Sequence, residues 1–475
     1  MDGDDLAPTE AGNEMPEEPD ATLEPHESLD EEMKQYQIFT LSHSPNVLAL
    51  KYYMATVALL PKYGGHGRKA LISAILFAAF GLFNLVVGSG VLSLPFAFSL
   101  VGFGLGCLIL FFVCISCAAT MYMVVITAEN TKHWTYMDLA FAALGKHGRT
   151  FTQCVILANS VGFIVMFNIL LTAFVEPMAA GVLGLNEGSF STRAAVLVFF
   201  VWFVELPLCS MRNKNVLKYL SLVGVALVVL LMVTVLVFAL DEWTTVGKPA
   251  TCVVSFSLNI FYALPMFLTA YAAHLMVLPL YAEMQGKTTR RMLTAIIVAF
   301  VLISIVYVWV GVIGYMTFGE ATPDNIILAY PVTNGLAMVT RLGYAFKIAI
   351  TVPLGMVAVQ QTAQDMYFGK PDGNPRSGEM AITFIFLGIG FVIPLFLQSV
   401  SFVMGLIGAI AGSNMAYILP ATFYWRLYRP VKPAMRVVCV LVILLGLVVF
   451  FLGTATSILG FVGVSSKAEY CGGRV

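Results

Sequence analysis

Eleven apolar runs, each about the length a helix needs to cross a bilayer, dictate what this 475-residue chain can become. Inside lipid no water can satisfy the backbone, so about 20 consecutive apolar residues are expected to form one spanning helix. The runs are 71–99, 101–127, 151–183, 194–211, 215–239, 252–283, 292–318, 336–367, 380–399, 401–427 and 435–463. The fourth is short and the ninth and tenth nearly touch, so ten or twelve remain open counts. Composition agrees: 59% of the residues are apolar and 11% charged, against roughly 25% charged in a soluble domain.

Charge placement sets the expected orientation. With the N-terminus in the cytoplasm, fifteen Lys and Arg fall on inward loops, from Lys132 to Arg436, against five on the outward side, among them Arg193, Lys248 and Arg341. Positive-inside bias of that kind, alternating at every crossing, fits eleven spans. Residues 131–150, with Trp134, Tyr136, Asp138 and Phe141, read as an interfacial helix in the second-to-third loop. Gly319 to Asn334 reads as an outward loop.

Thirteen of the 27 acids lie between Asp2 and Glu32, where no Lys or Arg occurs, leaving 26 bases against 14 acids in the rest of the chain. Residues 1–50 are therefore expected to be a disordered, acidic, cytoplasmic tail. It is either simply solvated or a docking segment for a cytosolic partner. A juxtamembrane segment 51–70, a transport domain 71–465 and a short extracytoplasmic tail 466–475 complete the expected organisation. A signal peptide is not expected at the start. Neither a zinc-type cysteine cluster nor a glycosylation sequon occurs, and Cys114-x-x-Cys117 inside an apolar run reads as helix packing. No nucleophile–base set for an enzyme, no cofactor motif, no nucleic-acid partner and no ring-forming channel filter are read from the chain.

Two runs are interrupted. Val87-Gly88-Ser89-Gly90-Val91 with Pro95 breaks the first, and Pro265, Tyr271-Ala272-Ala273-His274 and Pro279 break the sixth. A break at membrane depth is tolerated where it lines a cavity, and its free N–H and C=O groups suit the carboxylate and ammonium of an amino acid. Close helix packing by small residues is the alternative for the glycine pair. His274 is either a proton acceptor or a satisfied structural group. Glu176, toward the outer end of the third run, and Lys347, two turns into the eighth, read as side chains reaching the interface or as site residues. Glu205 before Pro207 reads as structural. Asn84 and Thr351 carry oxygens suited to a hard monovalent cation.

The segments Phe83 to Pro95, Leu206-Pro207-Leu208 through Ser221, His274 with Val277-Leu278-Pro279 and Glu283, Gly314 to Gly319 with Pro323-Asp324-Asn325-Ile326, and Gly405-Leu406-Ile407-Gly408 with Pro420 to Tyr424 occur in that order. Together they resemble the amino acid/auxin permease family of the amino acid–polyamine–organocation superfamily, over nearly all of 70–465, with the protist-type amino acid transporters most similar. The resemblance implies an all-α integral membrane fold of eleven transmembrane helices, a leucine-transporter-like 5+5 inverted repeat with broken helices 1 and 6. It implies alternating access, with substrate bound at Gly88, Ser89, Gly90, Tyr271, Ala272 and His274. Asn84, Val87 and Thr351 match the cation site of sodium-coupled members, while other members use protons, so Na+ and H+ both stand as coupling ions. Lys347 departs from the sodium-coupled pattern.

The function expected is a secondary active permease for cationic (arginine, lysine) or neutral amino acids, working as a monomer in the bilayer. The plasma membrane is the default location, a lysosomal or vacuolar membrane the alternative. The contrasting reading is an amino acid sensor signalling through the acidic tail.

Overall fold

The computed structural model describes residues 68–184, 186, 188–211, 223–284, 286–368, 376–462 and 471–474, all within the second of two units, 45–475. The acidic tail and its partner reading, the juxtamembrane segment up to residue 67, residues 212–222 and 463–470 lie outside the described residues.

Among the described residues ten helices are long and apolar enough to cross a membrane, or eleven when one bent pair counts as a single span. The bent pair is the first span: α1 (Arg68–Val86) and α2 (Leu94–Val101), joined by a short 3₁₀ turn at Ser89–Ser93 and bent by 55°. Glycine removes helix preference at 88 and 90, and Pro95 sits in the first turn of α2, where its missing N–H costs nothing.

The second and third spans follow as α3 (Phe103–Thr131) and α4 (Tyr136–Leu183). Gly145, at φ 69°, separates the first turns of α4 from its long apolar part, which places the expected interfacial helix at Tyr136–Leu144. The fourth span runs through α5 (Phe190–Leu197), a π-helical stretch Val198–Glu205 and α6 (Leu206–Ser210). Pro207 lacks the N–H that would keep α-helical spacing, and the wider turn forms just before it. The fifth span is α7 (Val223–Thr245).

The sixth span is α8 (Ile260–Ala270), an unwound Tyr271-Ala272-Ala273, and α9 (His274–Glu283). The seventh and eighth are α10 (Thr289–Phe318) and α11 (Gly335–Phe368), and the ninth is α12 (Arg376–Phe396). α13 (Val400–Ile407), two π turns and α14 (Leu419–Leu427) make the tenth, and α15 (Pro433–Phe461) the last. Phe111, Phe203 and Val437 are each more than half exposed, as side chains facing lipid should be.

One expectation needs correcting. The sixth run was expected to be apolar helix from 252, but Cys252–Ser255 is a strand (β1) paired antiparallel with Cys471–Arg474 (β2), with Ser255 opposite Cys471. Val253 and Val254 are as apolar as a helix start and β-branched, so an apolar run alone cannot separate the two. Cys252 is disulfide-bonded, whereas Cys107, Cys114, Cys117, Cys154 and Cys439 are free thiols. Gly102, at φ 83°, turns the chain from α2 into α3 directly under β1. A Cβ there would meet the carbonyl oxygens of Cys252 and Val253 at 2.8 Å, so no other residue fits.

The core sits where the second half of the first span meets the first half of the sixth. Phe98 of α2 and Phe267 of α8 meet edge to face at 5.4 Å, both fully buried. Tyr307 of α10 lies beside them, 5.3 Å from Tyr271 and T-shaped to it.

Candidate transport site

The two interrupted helices come together at one cavity of about 300 Å³. Gly88, Gly90, Ala272 and Ala273 line it from the breaks, Asn159 and Phe163 from α4, and Tyr344, Lys347, Thr351 and Gln361 from α11. Its other lining residues include Trp134, Tyr136 and Pro279, so it reaches the end of the bundle formed by the second-to-third loop and the close of the sixth span.

The breaks supply its backbone chemistry. The first N–H groups of a helix have no partner within it, and two such starts, the 3₁₀ turn after Gly88 and the start of α9 at His274, border this cavity. Both carry partial positive charge, which suits a carboxylate. The carbonyls at the ends of the first halves are partly taken. Gly88 N–H donates to Val86 O at 2.8 Å, and the Tyr307 hydroxyl lies 3.0 Å from Val86 O and 2.7 Å from Ala270 O. A single fully buried hydroxyl on α10 therefore spans both breaks.

Three polar atoms of lining residues, Asn159 Oδ1, Gln361 Oε1 and the Tyr344 hydroxyl, are buried without a protein partner. Buried polar groups are almost always paired, so these three stand out as unsatisfied groups of residues that line the cavity. Asn159, Gln361, Tyr344 and Tyr307 were not singled out from sequence. Asn159 was visible as one of three amides, with Gln153 and Asn168, within the apolar run 151–183, and Tyr344 one turn before Lys347.

The expected site residues separate into two groups. Gly88, Gly90 and Ala272 line the cavity, as do Asn84 and Thr351, while the side chain of Ser89 lies outside the described residues. Tyr271 and His274 turn away from it. The Tyr271 hydroxyl pairs with Ser304 of α10, and His274 Nε2 sits 3.0 Å from Thr120 Oγ1 of α3, fully enclosed. Their backbone helps form the break; their side chains brace it.

Lys347 Nζ donates to Val87 O at 2.9 Å, reaching into the first break rather than to the membrane surface. Asn84, 8% exposed, stands close by: a Cβ built on Gly224 of α7 would lie 3.1 Å from Asn84 Oδ1 and 3.5 Å from Lys347 Nζ. Thr351 donates its hydroxyl to the Lys347 carbonyl at 2.7 Å. Glu176 is buried and lies 3.7 Å from Arg193, which also donates to Leu395 O at 3.1 Å and Gly188 O at 3.3 Å; neither of the pair lines the cavity. Glu205 is fully buried against Asn168.

Residues 72–459 match the family described as transmembrane amino acid transporter protein. The zebrafish sodium-coupled neutral amino acid symporter 2 is 22% identical over 428 residues, covering 84% of each chain. The Arabidopsis thaliana amino acid transporter AVT6E is 22% identical, covering 81% of this chain and 83% of that one. Among solved structures, a sodium-coupled sialic acid symporter in a substrate-bound outward-open state superposes with a TM-score of 0.52 at 12% identity, over 91% of this chain and 97% of that one. At that identity the likeness speaks for a shared fold.

Proposed function

We propose that this chain, which belongs to the transmembrane amino acid transporter family, is a secondary active transporter that carries neutral amino acids by alternating access. The observation that carries the substrate class is the charge of the cavity. Among its described lining residues there is no carboxylate, and the one Lys or Arg is Lys347. An arginine or lysine substrate would bring a second positive charge into this space with nothing to pair it, which is strongly unfavourable away from water. Glu176, the acid that would have favoured a cationic substrate, is committed to Arg193.

In this reading the substrate carboxylate rests on the N–H groups that open the 3₁₀ turn at Ser89 and α9 at His274. Its ammonium takes the unpaired oxygens of Asn159 and Gln361, and its side chain lies against Phe163, Ile164 and Leu275. Gly88 and Gly90 keep the first break narrow enough for backbone to approach the ligand. Tyr271 and His274 hold the second break open from behind. The first and sixth spans act as corresponding members of an inverted repeat, the usual location of a midplane site in such transporters. With the N-terminus cytoplasmic, the cavity faces inward, so the arrangement is that of the releasing state.

The test is uptake of radiolabelled alanine and of radiolabelled arginine into proteoliposomes, each competed by the other amino acids. Saturable alanine uptake competed by neutral amino acids and indifferent to arginine and lysine is expected. Arginine entry competed by lysine alone would reverse the substrate assignment.

A further inference from the structure

Asn84 and Thr351 line the cavity and, with Val87, match the positions at which sodium-coupled members of the resembled family seat a cation; here Lys347 reaches the Val87 carbonyl. The break after Val86 leaves the Val87 carbonyl at the negative end of a half-helix, the natural position for a positive charge. Lys347 brings its ammonium there from α11, 2.9 Å from the carbonyl oxygen. Gly224 makes room for it: any side chain at that position would press on Lys347 Cε at 3.3 Å and on Asn84 Oδ1 at 3.1 Å. The Tyr344 ring adds its face, 5.6 Å from Nζ, a further attraction for a cation. Among the described residues no carboxylate lies within ion-pair distance of Lys347. The ammonium is held by carbonyl and ring rather than by an acid, so its positive charge stays uncompensated in the site.

A sodium ion does not fit these residues. It would need the same Val87 oxygen that Lys347 Nζ holds at 2.9 Å, at a separation from Nζ where two like charges repel. Thr351 donates its hydroxyl proton to the Lys347 carbonyl one turn earlier on α11.

We propose that Lys347 is the resident cation of this site, taking the structural place of sodium, so that the protein works without sodium bound there. That it moves an amino acid rests on the function proposed above; that Lys347 excludes sodium does not.

The experiment is saturable binding of radioactive 22Na+ to the purified full chain, as wild type and as Lys347→Ala and Lys347→Met. Alanine vacates the site, whereas methionine keeps the length and removes the charge. Wild type should show no saturable sodium binding across the millimolar range. Lys347→Ala should acquire it, at an affinity at least about tenfold above any residual wild-type value, and Lys347→Met should gain less because its stem still fills the space. Saturable sodium binding by the wild type overturns the proposal, and so does an Ala variant, folded by its melting profile, that gains none. If the variants do not fold, the wild-type measurement decides alone. Uptake in sodium and in choline medium is measured beside it. Equal alanine uptake in both is expected, sodium-dependent uptake overturns the proposal, and no amino acid uptake in either medium counts against the transporter reading while leaving the binding result standing.

Discussion

Tyr307→Phe should weaken transport by removing a single oxygen. The ring is fully buried and packs T-shaped against Tyr271 at 5.3 Å, contacts that phenylalanine keeps. What goes is the hydroxyl between Ala270 O at 2.7 Å and Val86 O at 3.0 Å. It has one proton, so the shorter contact is the stronger bond, and Val86 O retains the Gly88 N–H. The loss therefore falls on Ala270 O, the carbonyl that ends α8. An unpaired buried carbonyl costs about 1–3 kcal/mol. Because Ala270 also lines the cavity, water can recover part of this, which brings the expected cost to about 1–2 kcal/mol. If the hydroxyl holds the two breaks in their binding geometry, that cost appears as a fall of roughly 5–30-fold in kcat/KM for uptake. The assay is initial-rate alanine uptake into proteoliposomes at matched protein amounts, with the melting temperature of each variant in detergent. Tyr307→Phe with wild-type uptake and an unchanged melting temperature would refute the idea that this hydroxyl links the breaks.

Two further outcomes follow from the packing and the loops. Asp324, in the loop before Ile326–Ala329, accepts the Val400 N–H at 3.0 Å, yet loss of water around it holds its carboxyl above the usual carboxylate range. A carboxyl whose folded value is raised supports folding fully below about pH 3.9 and loses that support as pH rises through its folded value. Asp324→Asn should therefore gain melting temperature relative to wild type as pH rises from 4 to 8, about these bounds; a difference that stays constant over that range contradicts it. Gly314→Ala places a Cβ 2.7 Å from Pro95 Cγ and 3.3 Å from Ile326 Cδ1, forcing α10 off the start of α2. A loss of about 1–3 kcal/mol, read as a lower melting temperature and reduced yield, is expected; wild-type melting would show that α10 shifts freely.

The membrane-spanning architecture was legible because lipid allows few solutions: a long apolar run is expected to be helix, and of the two readings of Gly-Ser-Gly with Pro95, a break or close packing, the structure shows the break. Both breaks stand where composition put them, at Val87–Gly90 and Tyr271–Ala273. What sequence could not supply was partnership between distant residues. Tyr307 is one of many aromatics on an apolar span, and nothing local shows that its hydroxyl meets carbonyls on two other helices. Glu176 and Arg193 sit 17 positions apart, at the close of one span and the start of the next, and read separately as interfacial charges. Only the turn between α4 and α5 makes them a buried pair. Lys347 was visible as a departure from a sodium-coupled pattern, but its contact with Val87, 260 positions away, depends on how α11 passes the first break. The strand at Cys252–Ser255 was hidden for a different reason: an apolar β-branched stretch has the same hydropathy in a ribbon as in a helix.

The most direct measurement of the central claim is alanine uptake by Gly88→Leu beside wild type. A Cβ at Gly88 meets nothing nearer than 4.0 Å, so the variant can fold, and its side chain then occupies the cavity that the substrate needs. Saturable uptake by wild type and its loss in a Gly88→Leu protein that melts normally is the result predicted. Undiminished uptake by that variant would contradict the placement of the substrate between the two broken helices.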